Sequence, residues 1–288
     1  MDHAAAVQLF YAASGGREAN DANNAVREVT IAGLINGTLP DPIYDPLRAE
    51  LGLWLTAKRA ELGLPPDAPA SAVRRGGRKY NWDLDLTLGP VTLKVEFKYG
   101  ATSVASLPEF FNPAANKDFH HGESYARFFF EQTLPQVCAI YGLPVTMGVD
   151  EYVARVHGTS KKPALFKALY EAEQLGTAAQ KAHKKALVDG SIETWLRQVK
   201  DKTDLDAITA AFQASQGGKH FLLCSNGKFF SDRIEPEELV VTGVTGVRLD
   251  KYLELSSAKA GTGFALLLRW KNHAGILYPA WQISMWRD

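Results

Sequence analysis

The chain has 288 residues, of which 46% are hydrophobic and 22% are charged, and its formal net charge is zero. This composition is typical of a folded globular protein of one large domain or two. A zero net charge excludes a globally basic nucleic-acid-binding protein, so any such signal must be local.

Three features of the sequence bear on the cellular compartment of the protein. No run approaches the roughly 18 apolar residues of a membrane helix, so we expect no membrane partner. The N-terminus has no Lys or Arg before Arg17 and is a poor secretory signal. Cys138 and Cys224 lie far apart in apolar runs, which favours reduced core thiols, although a disulfide between them stays open. We expect an intracellular protein, cytoplasmic or nuclear.

The first third of the chain is predicted to be mainly helical. One helix spans about residues 3–13. A second runs to about Ile35 with Asn20, Asp21 or Asn23 as its cap, and a third spans about residues 46–62. The proline-rich stretch after the third helix is predicted to be a loop.

A basic segment, R-R-G-G-R-K at 74–79, follows that loop. Cations on a glycine-containing loop suit phosphate oxygens, so we expect nucleic-acid contacts from Arg74, Arg75, Arg78 and Lys79. The alternative is an ordinary solvated loop.

The stretch Tyr80–Gly100 is predicted to be a β-hairpin. Apolar and polar residues alternate from Trp82 to Leu88 and again from Val91 to Tyr99, and Gly89-Pro90 breaks the run as a turn. One face is therefore apolar and must meet a core. The other face carries three acids and two lysines, and acids in the middle of a strand pair are costly to bury.

The register of the hairpin determines which residues lie opposite the acids. If the strands close symmetrically about the turn, Asp85 faces Lys94 in a favourable ion pair, and Asp83 faces Glu96. Two carboxylates directly opposite each other are destabilising, so they must share a proton or hold a cation. A slip of two residues would place Asp85 against Glu96 instead. We therefore expect Asp83 to be the functional aspartate, with Asp85 as the second candidate.

This arrangement suits a divalent cation held against a phosphodiester. Carboxylates are hard oxygen ligands for Mg²⁺, for which Mn²⁺ is expected to substitute, and Lys98 can orient or activate water. Phe97 points into the core, while its backbone carbonyl can reach the metal. The alternative is an amphipathic hairpin with surface ion pairs.

The remaining chain divides into a helical and a β-rich part. A helix from about Gly122 to Tyr141 is expected to kink or split at Pro135. Residues 151–203 look helical, with breaks at Gly176 and Gly190. Between Arg155 and Lys202 there are ten Lys or Arg against five acids. This surplus predicts nucleic-acid backbone contacts, unless it is only a solvated face; its candidates are Lys161, Lys162, Lys184 and Lys185. Short aromatic strands follow from His220.

The pattern of Asp83, twelve residues, then Glu96-Phe97-Lys98 in a hairpin resembles the PD-(D/E)xK nucleases, with Trp82 at the proline position. The resemblance covers about residues 18–145. It implies an αβββαβ core with a mixed sheet flanked by helices, and Mg²⁺-dependent cleavage of DNA or occasionally RNA. It also implies that Asp83 and Glu96 are metal ligands and Lys98 the catalytic lysine; Glu28 is the candidate for an upstream helix acid.

The sequence therefore predicts an α+β (α/β) protein with a restriction endonuclease-like core in residues 1–150. A basic helical segment, 151–215, and a β-rich part, 216–288, would follow. The predicted function is a Mg²⁺-dependent endonuclease acting on DNA, with RNA as another substrate, and a homodimer is compatible with cutting both strands. The alternatives are a non-catalytic nucleic-acid-binding or protein-interaction module, and a small-molecule enzyme that uses the same acidic face.

Overall fold

The computed structural model describes residues 2–13, 17–75, 80–107, 119–156, 164–249, 251–273 and 276–288. The chain forms two compact units, each built from two separate segments. Unit 1 comprises Met1–Leu107 and Gln216–Glu235, and unit 2 comprises Pro108–Ser215 and Pro236–Asp288.

Unit 1 begins with the three expected helices. They are α1 (His3–Tyr11), α2 (Arg17–Ile35) and α3 (Asp45–Glu61). The Asp2 side chain caps α1 by accepting from the Ala4 N–H. Helix α2 starts before the predicted caps, because Arg17, Glu18 and Ala19 are good helix formers that extend it upstream.

A five-stranded mixed sheet completes unit 1, in the order β1-β2-β3-β4-β5. Strands β3 and β4 are parallel, and the other neighbours are antiparallel. The strands are β1 (Ala70–Arg74), β2 (Leu84–Leu88), β3 (Val91–Tyr99), β4 (Lys219–Ser225) and β5 (Lys228–Arg233). Strand β1 lies where the sequence predicted loop, because the short run A-S-A-V-R becomes a strand only by pairing with β2.

The core of unit 1 explains why the hairpin is two-faced. The apolar face of β2 and β3 packs with residues of the helices in one buried cluster, which includes Leu86, Val95, Phe97, Leu51 and Trp54. The hairpin and its apolar face are as predicted. Its polar residues consequently point away from this cluster.

Unit 2 holds six helices and an antiparallel sheet among its described residues. The helices are α4 (Tyr125–Gln132), α5 (Leu134–Ile140), α6 (Val149–Val156), α7 (Ala164–Leu175), α8 (Ala178–Val199) and α9 (Leu205–Gln216), whose last residue opens the second segment of unit 1. The strands, in sheet order, are β6 (Val241–Arg248), β7 (Tyr252–Ser257), β8 (Thr262–His273) and β9 (Ile276–Arg287).

Two details of unit 2 test the sequence predictions. The predicted helix around Pro135 is indeed split, at Thr133 between α4 and α5. Gly176 separates α7 from α8, but Gly190 lies inside α8, so the break predicted there is wrong. A glycine within a helix costs only about 1 kcal/mol, which the buried residues that follow it, Ile192 and Trp195, can offset.

The mixed α+β class is confirmed, whereas a restriction endonuclease-like core stays a prediction. The division into units differs from the three consecutive segments predicted, because β4 and β5 pair with the sheet of unit 1. Cys138 and Cys224 are buried free thiols, as expected. No helix in the described ranges is long and apolar enough to cross a membrane.

The packing of the hairpin can be tested with Leu86→Ala. Leu86 is 1% exposed in the core cluster, so we expect its truncation to lower the free energy of unfolding by about 2–5 kcal/mol. Leu53→Ala is the matched control, because Leu53 is 67% exposed, and should change it by less than about 0.5 kcal/mol. Urea unfolding measures both, and equal losses would contradict the assigned core face.

Candidate active site

The hairpin closes in the symmetric register. Asp85 lies opposite Lys94, and Leu84 lies opposite Val95. Asp83 immediately precedes β2, and its N–H donates to the Val95 carbonyl at 3.0 Å. This pairing places Asp83 beside Glu96, and the alternative slip of two residues does not occur.

A backbone N–H group of the facing strand holds the Asp83 side chain in place. Its Oδ2 atom accepts the N–H of Phe97 at 2.8 Å. Burial, together with the Glu96 carboxylate, raises the pKa of Asp83 to about 7, and the ammonium of Lys98 offsets only part of this effect. The Phe97 side chain lies in the core, as predicted for the residue between the acid and the lysine.

Glu96 is bound by two lysines. Its Oε1 atom accepts from Lys98 Nζ at 2.5 Å, and its Oε2 atom accepts from Lys219 Nζ at 3.2 Å. Burial by itself raises the pKa of Glu96, but the two ammonium groups outweigh it, and the pKa lies below its ordinary value. Glu96 is therefore ionised at neutral pH, whereas Asp83 titrates there.

Lys98 stays protonated in this environment. Burial lowers its pKa, but the carboxylates of Glu96 and Asp83 outweigh that effect, so the pKa lies above the ordinary lysine value. A lysine in this state donates hydrogen bonds and supplies positive charge. It does not act as a base near neutral pH.

Lys219 is a site residue that the sequence did not reveal. It is the first residue of β4, lies opposite Lys94 in the parallel pair, and has a side chain only 4% exposed. Burial lowers its pKa, and Glu96 partly restores it. A lysine opening a buried strand is the only local signal, and the pairing of β4 with β3 is not visible in the sequence.

Glu28 is brought to the same region by α2. Its Oε2 atom accepts from Arg74 Nε on β1 at 2.7 Å, and its side chain is largely buried. The charge of Glu28 raises the pKa of both Asp83 and Lys98. The predicted upstream acid is therefore electrostatically coupled to Asp83 and Lys98.

Asp85 has a different partner from the one predicted. It faces Lys94 across the hairpin, but its carboxylate accepts from Arg75 Nε and from Trp82 Nε1, each at 2.6 Å. The Lys94 ammonium lies over the Trp82 ring, 4.8 Å from its centre. The expected ion pair with Lys94 is replaced because a planar guanidinium and an indole N–H satisfy both oxygens of the carboxylate.

The predicted phosphate-binding cations fall into three groups. Arg74 and Arg75 lie at the site and are bound to Glu28 and Asp85. Lys184 and Lys185 lie on α8 of unit 2, in ion pairs with Glu173 and Asp189. The others fall outside the described residues; they are Arg78, Lys79, Lys161 and Lys162.

The acids of this site do not form a structural metal centre in the described residues. Among the residues that the structure describes, no group of three or more His, Cys, Asp or Glu side chains could hold a metal. Mg²⁺ is usually bound through one or two carboxylates, with water and substrate phosphates as its other ligands. Asp83 and Glu96 are two neighbouring carboxylates.

Comparison with known proteins finds no match to this chain. No family model, no curated protein and no solved structure matches the chain. The interpretation of the site therefore depends on its own geometry.

The opposite environments of the two carboxylates can be tested with Asp83→Asn and Glu96→Gln. The pKa of Asp83 in the folded protein, about 7, exceeds its ordinary value of 3.8, so its ionisation destabilises the fold as pH rises between these values. Asp83→Asn keeps an acceptor for the Phe97 amide. We expect it to raise the free energy of unfolding by about 2 kcal/mol at pH 8 and by much less at pH 4.

Glu96→Gln should have the opposite sign. The pKa of Glu96 is depressed, so its stabilisation is present above its ordinary pKa and is lost as pH falls. The substitution leaves Lys219 buried without its carboxylate, and we expect a loss of about 3 kcal/mol at pH 8. Urea unfolding at several pH values measures both variants, and changes of the same sign at pH 8 would contradict the assignment.

Proposed function

We propose that this protein is a metal-dependent nuclease that hydrolyses phosphodiester bonds, with DNA as its substrate and Mg²⁺ as its cofactor. The observation that carries the proposal is the placement of Asp83 beside Glu96, with Lys98 bound to Glu96. An ordinary amphipathic hairpin gains nothing from two opposed carboxylates, whereas a divalent cation bound between them would offset their repulsion.

The residues of the site have distinct roles in this proposal. Asp83 and Glu96 would hold Mg²⁺, which when bound polarises a phosphoryl oxygen and lowers the pKa of its water. Lys98 is anchored by Glu96 and remains protonated, so it orients the attacking water and offsets negative charge in the transition state. Lys219 keeps the Glu96 carboxylate in place from the neighbouring strand.

The chain order of unit 1 supports the same proposal. Helices α2 and α3 are followed by the antiparallel strands β1, β2 and β3, and β4 returns parallel to β3 after the helices of the first segment of unit 2. This is the αβββαβ order that the resemblance to PD-(D/E)xK nucleases implies. The coupling of Glu28 on α2 to Asp83 is a second point of agreement.

Arg74 and Arg75 are predicted phosphate-binding cations that pair with acids of this site. Each is bound to a carboxylate by its Nε atom. Both side chains remain partly exposed, so their other N–H groups can reach a phosphate oxygen. They would position the DNA backbone without selecting a sequence.

One observation favours the alternative of a non-catalytic module that binds nucleic acid or protein. Both oxygens of Glu96 already accept hydrogen bonds from lysines, so its charge is compensated by the protein alone. A metal ligand with this environment must exchange at least one lysine contact for the metal. Cleavage assays separate the two functions.

Cleavage of supercoiled plasmid DNA in Mg²⁺ or Mn²⁺ tests the proposal. We expect cleavage that EDTA abolishes, and a loss of at least about 100-fold in Asp83→Asn, Glu96→Gln and Lys98→Ala. Asp83→Asn is the decisive variant, because it is expected to be more stable than the wild type and its inactivity cannot be assigned to unfolding. Mn²⁺ binding by calorimetry should weaken in the same variant.

Two controls are matched to these variants. Lys94→Ala removes a lysine from the same face of β3, and Asp67→Asn removes an exposed acid before β1; both should cleave at the wild-type rate. If wild type and all variants cleave equally, the site assignment is wrong. If the wild type cleaves neither DNA nor RNA in either metal, the binding module replaces the nuclease.

A further inference from the structure

Helix α8 of unit 2 carries lysines where an apolar stripe should continue. Its C-terminal half buries Ile192 and Trp195 on one face. At helical spacing the same face continues toward the N-terminus through Val188, Lys185, Lys184 and Lys181. Lys184 is only 15% exposed, whereas Lys181 and Lys185 are exposed, so the three lysines form one wall between buried structure and solvent.

The side chains of these lysines line a cleft of about 470 Å³. One wall is the lysine face of α8, and the other comes from the start of β7 and from residues 267–270 of β8. The volume falls within the range of about 300–1,000 Å³ that is typical of small-ligand sites. Five cations line the cleft; they are Lys181, Lys184, Lys185, Lys251 and Arg269.

The carboxylates of the cleft are fewer than its lysines. The described lining includes four lysines but only two acids, Glu173 and Asp189. Glu173 binds Lys184 at 2.5 Å, and Asp189 is shared between Lys185 at 2.5 Å and Lys251 at 2.8 Å. One carboxylate divided between two ammonium groups leaves positive charge directed at the open volume.

We propose that this cleft binds the phosphate groups of a nucleotide unit. Several lysines around one concave volume are suited to the multiple charged oxygens of a phosphate, and a single carboxylate ligand would leave most of them unused. Tyr252 and Trp270 add aromatic surface to the lining, which suits the base or sugar attached to the phosphate. The phosphate can belong to a free nucleotide or to a nucleic-acid strand.

This site is separate from the proposed nuclease. All its residues belong to unit 2, and binding is measured in EDTA, where no metal-dependent cleavage occurs. The probes are inorganic pyrophosphate, adenosine triphosphate and a short labelled single-stranded DNA. Calorimetry measures the first two, and fluorescence anisotropy at several salt concentrations measures the third.

The chain offers a closely matched pair of lysines for the test. Lys185 and Lys167 are both 73% exposed and both pair with an acid four residues further along their helix, but only Lys185 lines the cleft. We expect Lys185→Ala to weaken binding about tenfold and Lys167→Ala to leave it unchanged. Asp189→Asn removes a competing carboxylate and should strengthen binding, a change that general destabilisation cannot produce.

The three probes separate the sources of the phosphate. Binding of pyrophosphate or adenosine triphosphate identifies a free-nucleotide site. Binding of DNA alone, with a salt dependence reduced by about one charge in Lys185→Ala, identifies a nucleic-acid backbone site. The proposal is overturned if no probe binds with a Kd below about 1 mM, or if Lys167→Ala and Lys185→Ala weaken binding equally.

Discussion

The placement of two carboxylates side by side, Asp83 and Glu96, is the constraint on which the rest of the candidate site depends. The apolar face of the hairpin fixes this placement. A slip of one residue would expose Leu84 and Leu86, and burying each such side chain contributes about 1.5–3 kcal/mol. A slip of two keeps the apolar pattern, so the turn at Gly89, whose φ is +52°, selects between the remaining registers.

The surroundings of the two acids shift their pKa values in opposite directions. Glu96 lies between Lys98 and Lys219 and remains ionised, while Asp83 has a backbone N–H and a neighbouring negative charge and binds a proton near neutrality. Environments that separate two carboxyl pKa values in this way are typical of catalytic acid pairs. A cation between the carboxylates would remove the repulsion that raises the pKa of Asp83.

What could be predicted from the sequence was local. The alternation from Trp82 to Tyr99 predicts the hairpin, because each strand and the turn between them lie within one short stretch. The symmetric register was one of two that this pattern allowed. Strand β1 could not be predicted, since A-S-A-V-R has little strand propensity and pairs only because β2 offers an edge. The partner of Asp85 was missed because Arg75 approaches from outside the hairpin.

Lys219 was missed for a deeper reason, which concerns how the chain is divided between the units. Parallel strands need a long crossover, and here it joins Tyr99 at the end of β3 to Lys219 at the start of β4 and contains the first segment of unit 2. The two lysines on Glu96 therefore differ in origin: Lys98 is two residues away, whereas Lys219 is 123 residues away. An isolated hairpin could place Asp83 beside Glu96, but the Glu96 carboxylate gains its second ammonium partner only when β4 pairs with β3. The complete site therefore forms only after the crossover has folded back and β4 has joined the sheet.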